Sequence, residues 1–284
     1  MKKQQLILVG SGLVCLLLIY RFGRTVPSAK PTPQTAQVAD NHPATVEFST
    51  ILQAAKQKLT PEQQLYVNGL ESSVVRGDVQ AQQIKVFSQL AAFWRDTVGY
   101  FAPYAYYTGA AAKLENSEKS LTFAAHQFLN ELKGATQPML KTWMADEAKQ
   151  LFERALKVNP ESDSSKIGLG SCYIFGSTAE HPEEVMAGIQ KILEVARRDS
   201  TNMYAQLMLG IGGVVSGQLD KAVERLNKVV QFDPHNLEAI FMLAEAYEKK
   251  VDNKNAVRWY TVGRNHVRDS GIVKEIDAKI NSLQ

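Results

Sequence analysis

Residues 203–236, MYAQLMLGIGGVVSGQLDKAVERLNKVVQFDPHN, run directly into residues 237–270, LEAIFMLAEAYEKKVDNKNAVRWYTVGRNHVRDS. Laid one over the other, the two stretches match position by position: Leu209 with Leu243, Gly210 with Ala244, Ala222 with Ala256, and Leu226 with Tyr260. Each reads as two amphipathic helices joined by a turn, at 217–220 in the first and at Asp252-Asn253 in the second. Small residues at Gly210, Ala222, Ala244 and Ala256 let the paired helices approach closely, while Leu209, Leu226, Tyr247 and Tyr260 fill the seam between one pair and the next. Pro234 ends its pair, because proline cannot donate to a continuing helix. A lone pair cannot bury its apolar face, so such units must stack.

The pattern extends upstream. Pro160 closes a comparable second helix carrying Ala148, Phe152 and Ala155. Ala148 and Ala222 stand two periods and a short surplus apart, and the surplus falls in the turn at 176–182. The unit 163–202 then has Leu169, Gly170 and Tyr173 on its first helix and Gly188, Ile192 and Val195 on its second. Further upstream the periodicity blurs but stays helical, with expected helices over 48–59, after Thr60-Pro61, and over 79–98. Residues 104–114 and 118–132 read as a further pair, with Ala124, Ala125 and Phe128 on its second helix. A closing amphipathic helix is expected over 271–283, and no segment reads as a strand.

These residues, and a repeat period of about 34 residues, carry a resemblance to the tetratricopeptide-repeat (TPR) family. It is most specific over 145–270 and looser over 46–284. The chain departs from the family pattern in lacking a tryptophan early on the first helix, where Lys166, Gln206 and Ile240 stand instead. The resemblance implies an all-α, TPR-type solenoid of antiparallel helix hairpins. It also implies that the first helices line a concave face that holds a peptide or helix. On this alignment the groove candidates are Ile167, Ser171, Ile174 and Phe175, then Tyr204, Leu207, Ile211, Val214 and Val215, then Glu238, Phe241, Glu245 and Lys249. The carboxylate clamp of some TPR co-chaperones does not appear at these positions, so the groove suits an amphipathic or apolar segment better than an acidic tail. The rival expectation is that the chain's own terminal helix fills this face.

The N-terminus adds a separate expectation. Residues 6–20 are uncharged and apolar, between Lys2 and Lys3 on one side and Arg21 and Arg24 on the other. This run is short for a spanning helix, yet the flanking side chains can extend it. A cleavable signal is the rival, but Leu-Leu-Ile-Tyr-Arg is not a small-residue cleavage site. The expected organisation is therefore an anchor at 1–24, a Pro/Thr/Ala-rich linker at 25–45, a divergent helical region at 46–145, repeats over 146–270 and a cap at 271–284. It implies a single-pass membrane protein with its body on the periplasmic side, the cytoplasmic orientation remaining open because the flanking charges nearly cancel.

Composition excludes little else. A net charge of +3 over 284 residues shows no concentrated basic face of the kind nucleic-acid binding needs. Cys15 and Cys172 are too few and too far apart for a disulfide framework, and the five histidines are scattered without helical ligand spacing. No metal or cofactor is expected. Gly168, Gly170, Gly210, Gly212 and Gly213 echo phosphate loops, but no strand precedes them, and close packing explains them. Arg76-Gly77-Asp78 matches an adhesion tripeptide and equally an inter-helix turn; the turn is the expectation. No nucleophile–base arrangement is visible. The sequence thus points to a membrane-anchored scaffold for a protein partner and not to an enzyme. The alternative is a self-assembling homo-oligomer whose concave face is filled by its own helix.

Overall fold

The computed structural model describes residues 47–76, 79–177 and 181–284. Among them all regular structure is helical: α1 (Phe48–Lys56), α2 (Pro61–Arg76), α3 (Gln80–Ala92), a π-helical turn (Phe93–Val98), α4 (Phe101–Glu115), α5 (Glu118–Leu132) and α6 (Pro138–Val158). There follow α7 (Asp163–Gly176), α8 (Pro182–Arg198), α9 (Met203–Val215), α10 (Leu219–Phe232), α11 (Leu237–Lys249), α12 (Asn253–His266) and α13 (Ser270–Leu283). Consecutive helices pair as hairpins, α3/α4, α5/α6, α7/α8, α9/α10 and α11/α12, and each hairpin packs on the next. The expected pairing of 104–114 with 118–132 is corrected: α5 packs most extensively on α6, and α4 on α3. The cause is the long α6, whose Trp143, Met144, Ala148, Leu151 and Phe152 share one buried cluster with Leu121, Ala125, Phe128 and Leu129 of α5.

One connector recurs between hairpins. Asn159, Asp199 and Asp233 leave their helices in the same extended conformation, with φ of -135°, -131° and -131°. Each carboxyl or amide oxygen accepts the backbone N–H two residues on, from Glu161, Thr201 and His235, at 3.2, 2.9 and 3.0 Å. The residue three positions on, Ser162, Asn202 or Asn236, then caps the next first helix by accepting from Ser165, Ala205 or Ala239. The first side chain closes the connector turn, and the second satisfies a donor that the helix start leaves orphaned.

The hairpins close on small residues. A Cβ at Gly170 would stand 2.7 Å from the carbonyl oxygen of Gly188 and 2.5 Å from Ile192, so α7 and α8 approach backbone to backbone. Gly210 receives the Leu226 side chain, and Gly213 meets Ala222. At the turn inside the hairpin, Gly217 has φ 77°, and Val251, its counterpart one repeat later, has φ 60°. The left-handed geometry that glycine accepts freely is thus imposed on a β-branched side chain in the last repeat.

The expected location is corrected as well: none of the described helices is long and apolar enough to cross a membrane. The apolar run at 6–20, the linker at 25–45, Cys15 and His42 lie outside the described residues, as do Gly77 and Asp78 of the tripeptide and 178–180 of the lengthened turn.

Candidate functional site

The first helices α5, α7, α9 and α11 stand side by side, and α9 touches both α7 and α11. Their neighbouring faces are closer than the repeat alignment implies. A Cβ at Gly212 of α9 would meet Ile174 of α7 and Ile189 of α8, each at 2.9 Å. Consequently Ile167, Ser171, Ile174, Leu207, Ile211 and Val214, six of the expected groove residues, are buried. They are packing residues, because the tight stacking turns their stripe into the seam between first helices. Phe241 is only half-buried, with its ring over Gly263 of α12, 2.6 Å from where a Cβ would stand. What stays accessible is Phe175, Tyr204, Glu238, Phe241 and Glu245, each half-buried, with Lys249 exposed and Val215 at 50% exposure.

Charged and polar groups frame that remnant. Lys133, just past the end of α5, places Nζ 2.8 Å from Oε1 of Glu238 in the first turn of α11, and 5.4 Å from the Phe175 ring centroid. The pair joins two positions far apart in sequence across the first-helix side. Being part-exposed, it contributes at most about 1 kcal/mol. Tyr204 is pushed up to about 12 by burial, with the Glu238 charge adding to it. His126 packs edge-on against Phe152 and lies 6.3 Å from Tyr204, with Nε2 3.1 Å from Ser164 Oγ. Burial lowers its pKa and the Lys133 charge lowers it further, so it is neutral at neutral pH. Glu245 pairs with Lys249 at 2.9 Å.

The residues expected to pack the repeats sit as follows. Leu169, Gly170, Gly210, Ala222, Leu226, Ala244 and Ala256 are buried; Tyr247 and Tyr260 are half-buried; Pro234 is exposed in the connector. The Tyr260 hydroxyl donates to Glu248 Oε2 at 2.9 Å. The chain's own last helix does not fill the first-helix face, because α13 packs on α12 and is tied by Arg264–Asp277 and Lys279–Glu248. Two of the histidines do meet: His235 and His266 bring their Nδ1 atoms to 3.4 Å. Among the described residues no group of three or more His, Cys, Asp or Glu could hold a metal ion. Cys172 is buried, which pushes its thiol far above the ordinary range. Lys133 and His126 escaped sequence reading because their partners lie in other helices.

These features define an all-α protein of stacked helix hairpins, with small residues at the crossing points and capped first helices. The hairpins recur at the tetratricopeptide period, so the chain has the fold of a TPR-type helical solenoid. No protein-family profile matches it. It is 28% identical over 125 residues to the BBSome complex member BBS4 of Bos taurus; the match covers 44% of this chain and 23% of that protein, so the chain spans about a quarter of its relative's length. Among solved structures it is similar to MamA 41-end from Desulfovibrio magneticus RS-1 (TM-score 0.46, 18% identity, 67% of this chain and 96% of that one). It is also similar to PilW, a widely conserved type IV pilus biogenesis factor (0.47, 17%, 70% and 92%), and to YrrB, a TPR protein with an unusual peptide-binding site (0.44, 14%, 83% and 100%). At these scores the likenesses add nothing to the repeat assignment, which rests on the period and the hairpin packing.

Proposed function

We propose that the chain is a protein-interaction scaffold and not an enzyme. In this reading, the first-helix face around Phe175, Tyr204 and Val215 holds an apolar or amphipathic segment of a partner protein. Recognition then belongs to the repeats at 146–270, with 46–145 as a supporting end and 271–284 as the cap. The supporting observation is that this face leaves the rings of Phe175 and Tyr204 and the Val215 side chain only partly covered, with the Lys133 ammonium beside the Phe175 ring and Glu238 and Glu245 on the next first helix. An apolar ridge bounded by charges of both signs suits an amphipathic helix.

The test is crosslinking capture with the full chain carrying Val215→Glu, alone and with Glu245→Lys. Both positions are accessible, so the melting temperature should hold while a specific partner is lost. Unchanged capture by the double variant contradicts the reading. Light scattering on the same proteins separates self-assembly: a concentration-independent oligomer dissociated by Val215→Glu would make a second copy the occupant.

A further inference from the structure

A second candidate surface lies on the other helices of the repeats. Between α8 and α10 is a pit of about 350 Å³. Its floor is apolar: Ile189 and Leu193 from α8, Leu209 and Gly213 from α9. Its rim is cationic: Arg197 at the end of α8, Lys221 and Arg225 on α10. No carboxylate lines it.

The rim charges carry no ion pair, although Lys221 Nζ donates to Oε1 of Gln218, which also lines the pit, at 3.2 Å. Among the described residues none of the three pairs with a carboxylate, although acidic groups nearby are plentiful. Those acids are engaged elsewhere: Glu224 with Lys228 at 2.8 Å, Asp220 with Lys250 at 2.5 Å, Glu161 with Arg198 at 2.6 Å. Arg225 is also held in place. Its Nη1 donates to Gln206 Oε1 at 2.8 Å, and buried Gln206 donates its Nε2 to the Ser200 carbonyl at 3.0 Å. Gln206 stands where the family pattern has an aromatic residue on the first helix; here that position anchors a guanidinium, one of three cations at the mouth of an apolar hollow.

We propose that this pit binds a segment of a partner protein in which one large apolar side chain is flanked by carboxylates. The apolar floor gains by covering a hydrophobic side chain, at roughly 25 cal/mol per Å² removed from water. Three like charges around one hollow raise its potential, attract anions and are relieved by them. The guanidinium groups offer the forked donors that carboxylates fill. The volume holds one or two large side chains; a lipid tail needs a longer channel. The inference does not rest on the first-helix groove, because it uses a different face and different residues.

The experiment selects a phage-displayed random dodecapeptide library against the full chain, then measures the winning peptides, synthesised with a fluorophore, by anisotropy. The expected winners place Asp or Glu beside Leu, Phe or Met. They should bind Arg197→Glu/Lys221→Glu at least about tenfold more weakly, a change of about 1.4 kcal/mol. They should bind Val215→Glu as tightly as the parent, and lose affinity as salt rises. Arg197→Lys/Lys221→Arg, which keeps the charges, should restore binding. Four results overturn the proposal: no enrichment, winners without carboxylates, winners that bind the charge-reversed variant equally, or a homo-oligomer that the reversal dissociates. Unchanged circular dichroism and melting exclude misfolding as the cause of any loss.

Discussion

The repeats over 163–266 and the amino-terminal end over 48–115 are both helical, yet they are held together differently. In the repeats, glycines and alanines at the crossing points bring backbones into contact, and the register is set residue by residue. In the amino-terminal end the packing is aromatic. Phe48 stacks on Tyr106 at 3.4 Å between ring centroids, and Phe87, Tyr107, Trp94 and Tyr100 continue the cluster. Glu71 is gripped there by Lys56 at 2.5 Å and by the Tyr107 hydroxyl at 2.6 Å. The Trp94 indole N–H is buried with no hydrogen-bond partner among the described residues. A 440 Å³ cavity opens between Phe48, Phe87 and Tyr107. Backbone contact tolerates no added atom, whereas stacked rings around a cavity have room to move.

That contrast is broken most directly by Gly170→Ala. The new methyl would meet the Gly188 carbonyl, which is backbone and cannot rotate away, so a loss of about 3 kcal/mol is expected in urea denaturation. At Val251, 83% exposed and with φ 60°, glycine should stabilise by about 1 kcal/mol, a rise of a few degrees in Tm. A loss there would mean the left-handed turn is not strained. The opposite substitution class tests the other end. Gly69 of α2 has nothing within 4 Å of its missing Cβ, so Gly69→Ala should gain about 0.5–1 kcal/mol from helix propensity alone. Equal destabilisation by Gly170→Ala and Gly69→Ala would erase the distinction between the two ends.

The smallest expected effect concerns the cap. Hydrogen bonding from Arg264 lowers the Asp277 pKa. At Glu248 burial acts to raise the pKa, but hydrogen bonds from Lys279 and Tyr260 outweigh it and the net shift is downward. A depressed carboxyl contributes stability that is present above its unfolded pKa and lost as pH falls through the folded one. Amide exchange in α13 should therefore rise below about pH 4, ahead of α9. Simultaneous loss of protection in both helices would contradict this.

The regions also differ in how legibly they were written. Leu209, Gly210, Ala222 and Leu226 could be matched to their partners in the next repeat, because each hairpin repeats the same local contacts. The connector Asp233-Pro-His-Asn236 has counterparts at Asn159–Ser162 and Asp199–Asn202, of which only the helix ends at Pro160 and Pro234 were legible in the sequence. The pairing of α5 with α6 was not legible, because it is decided by the volumes of Trp143 and Phe152 and not by a period. The groove was over-read for a related reason: alignment tells which side of α9 faces inward, but not that Gly212 brings α7 and α9 together over Ile211. The Lys133–Glu238 pair and the Arg197, Lys221 and Arg225 rim depend on how separate helices meet, which no local motif encodes.

The central claim is that the first-helix face of the repeats, and not general stickiness, recruits a partner. A photo-crosslinking side chain at position 215 or at position 232 tests it in one gel, since Phe232 at the end of α10 is the more exposed of the two, 73% against 50%. The account predicts a discrete crosslinked protein from position 215 and none from 232. A product from 232 alone, or the same products from both, would contradict it.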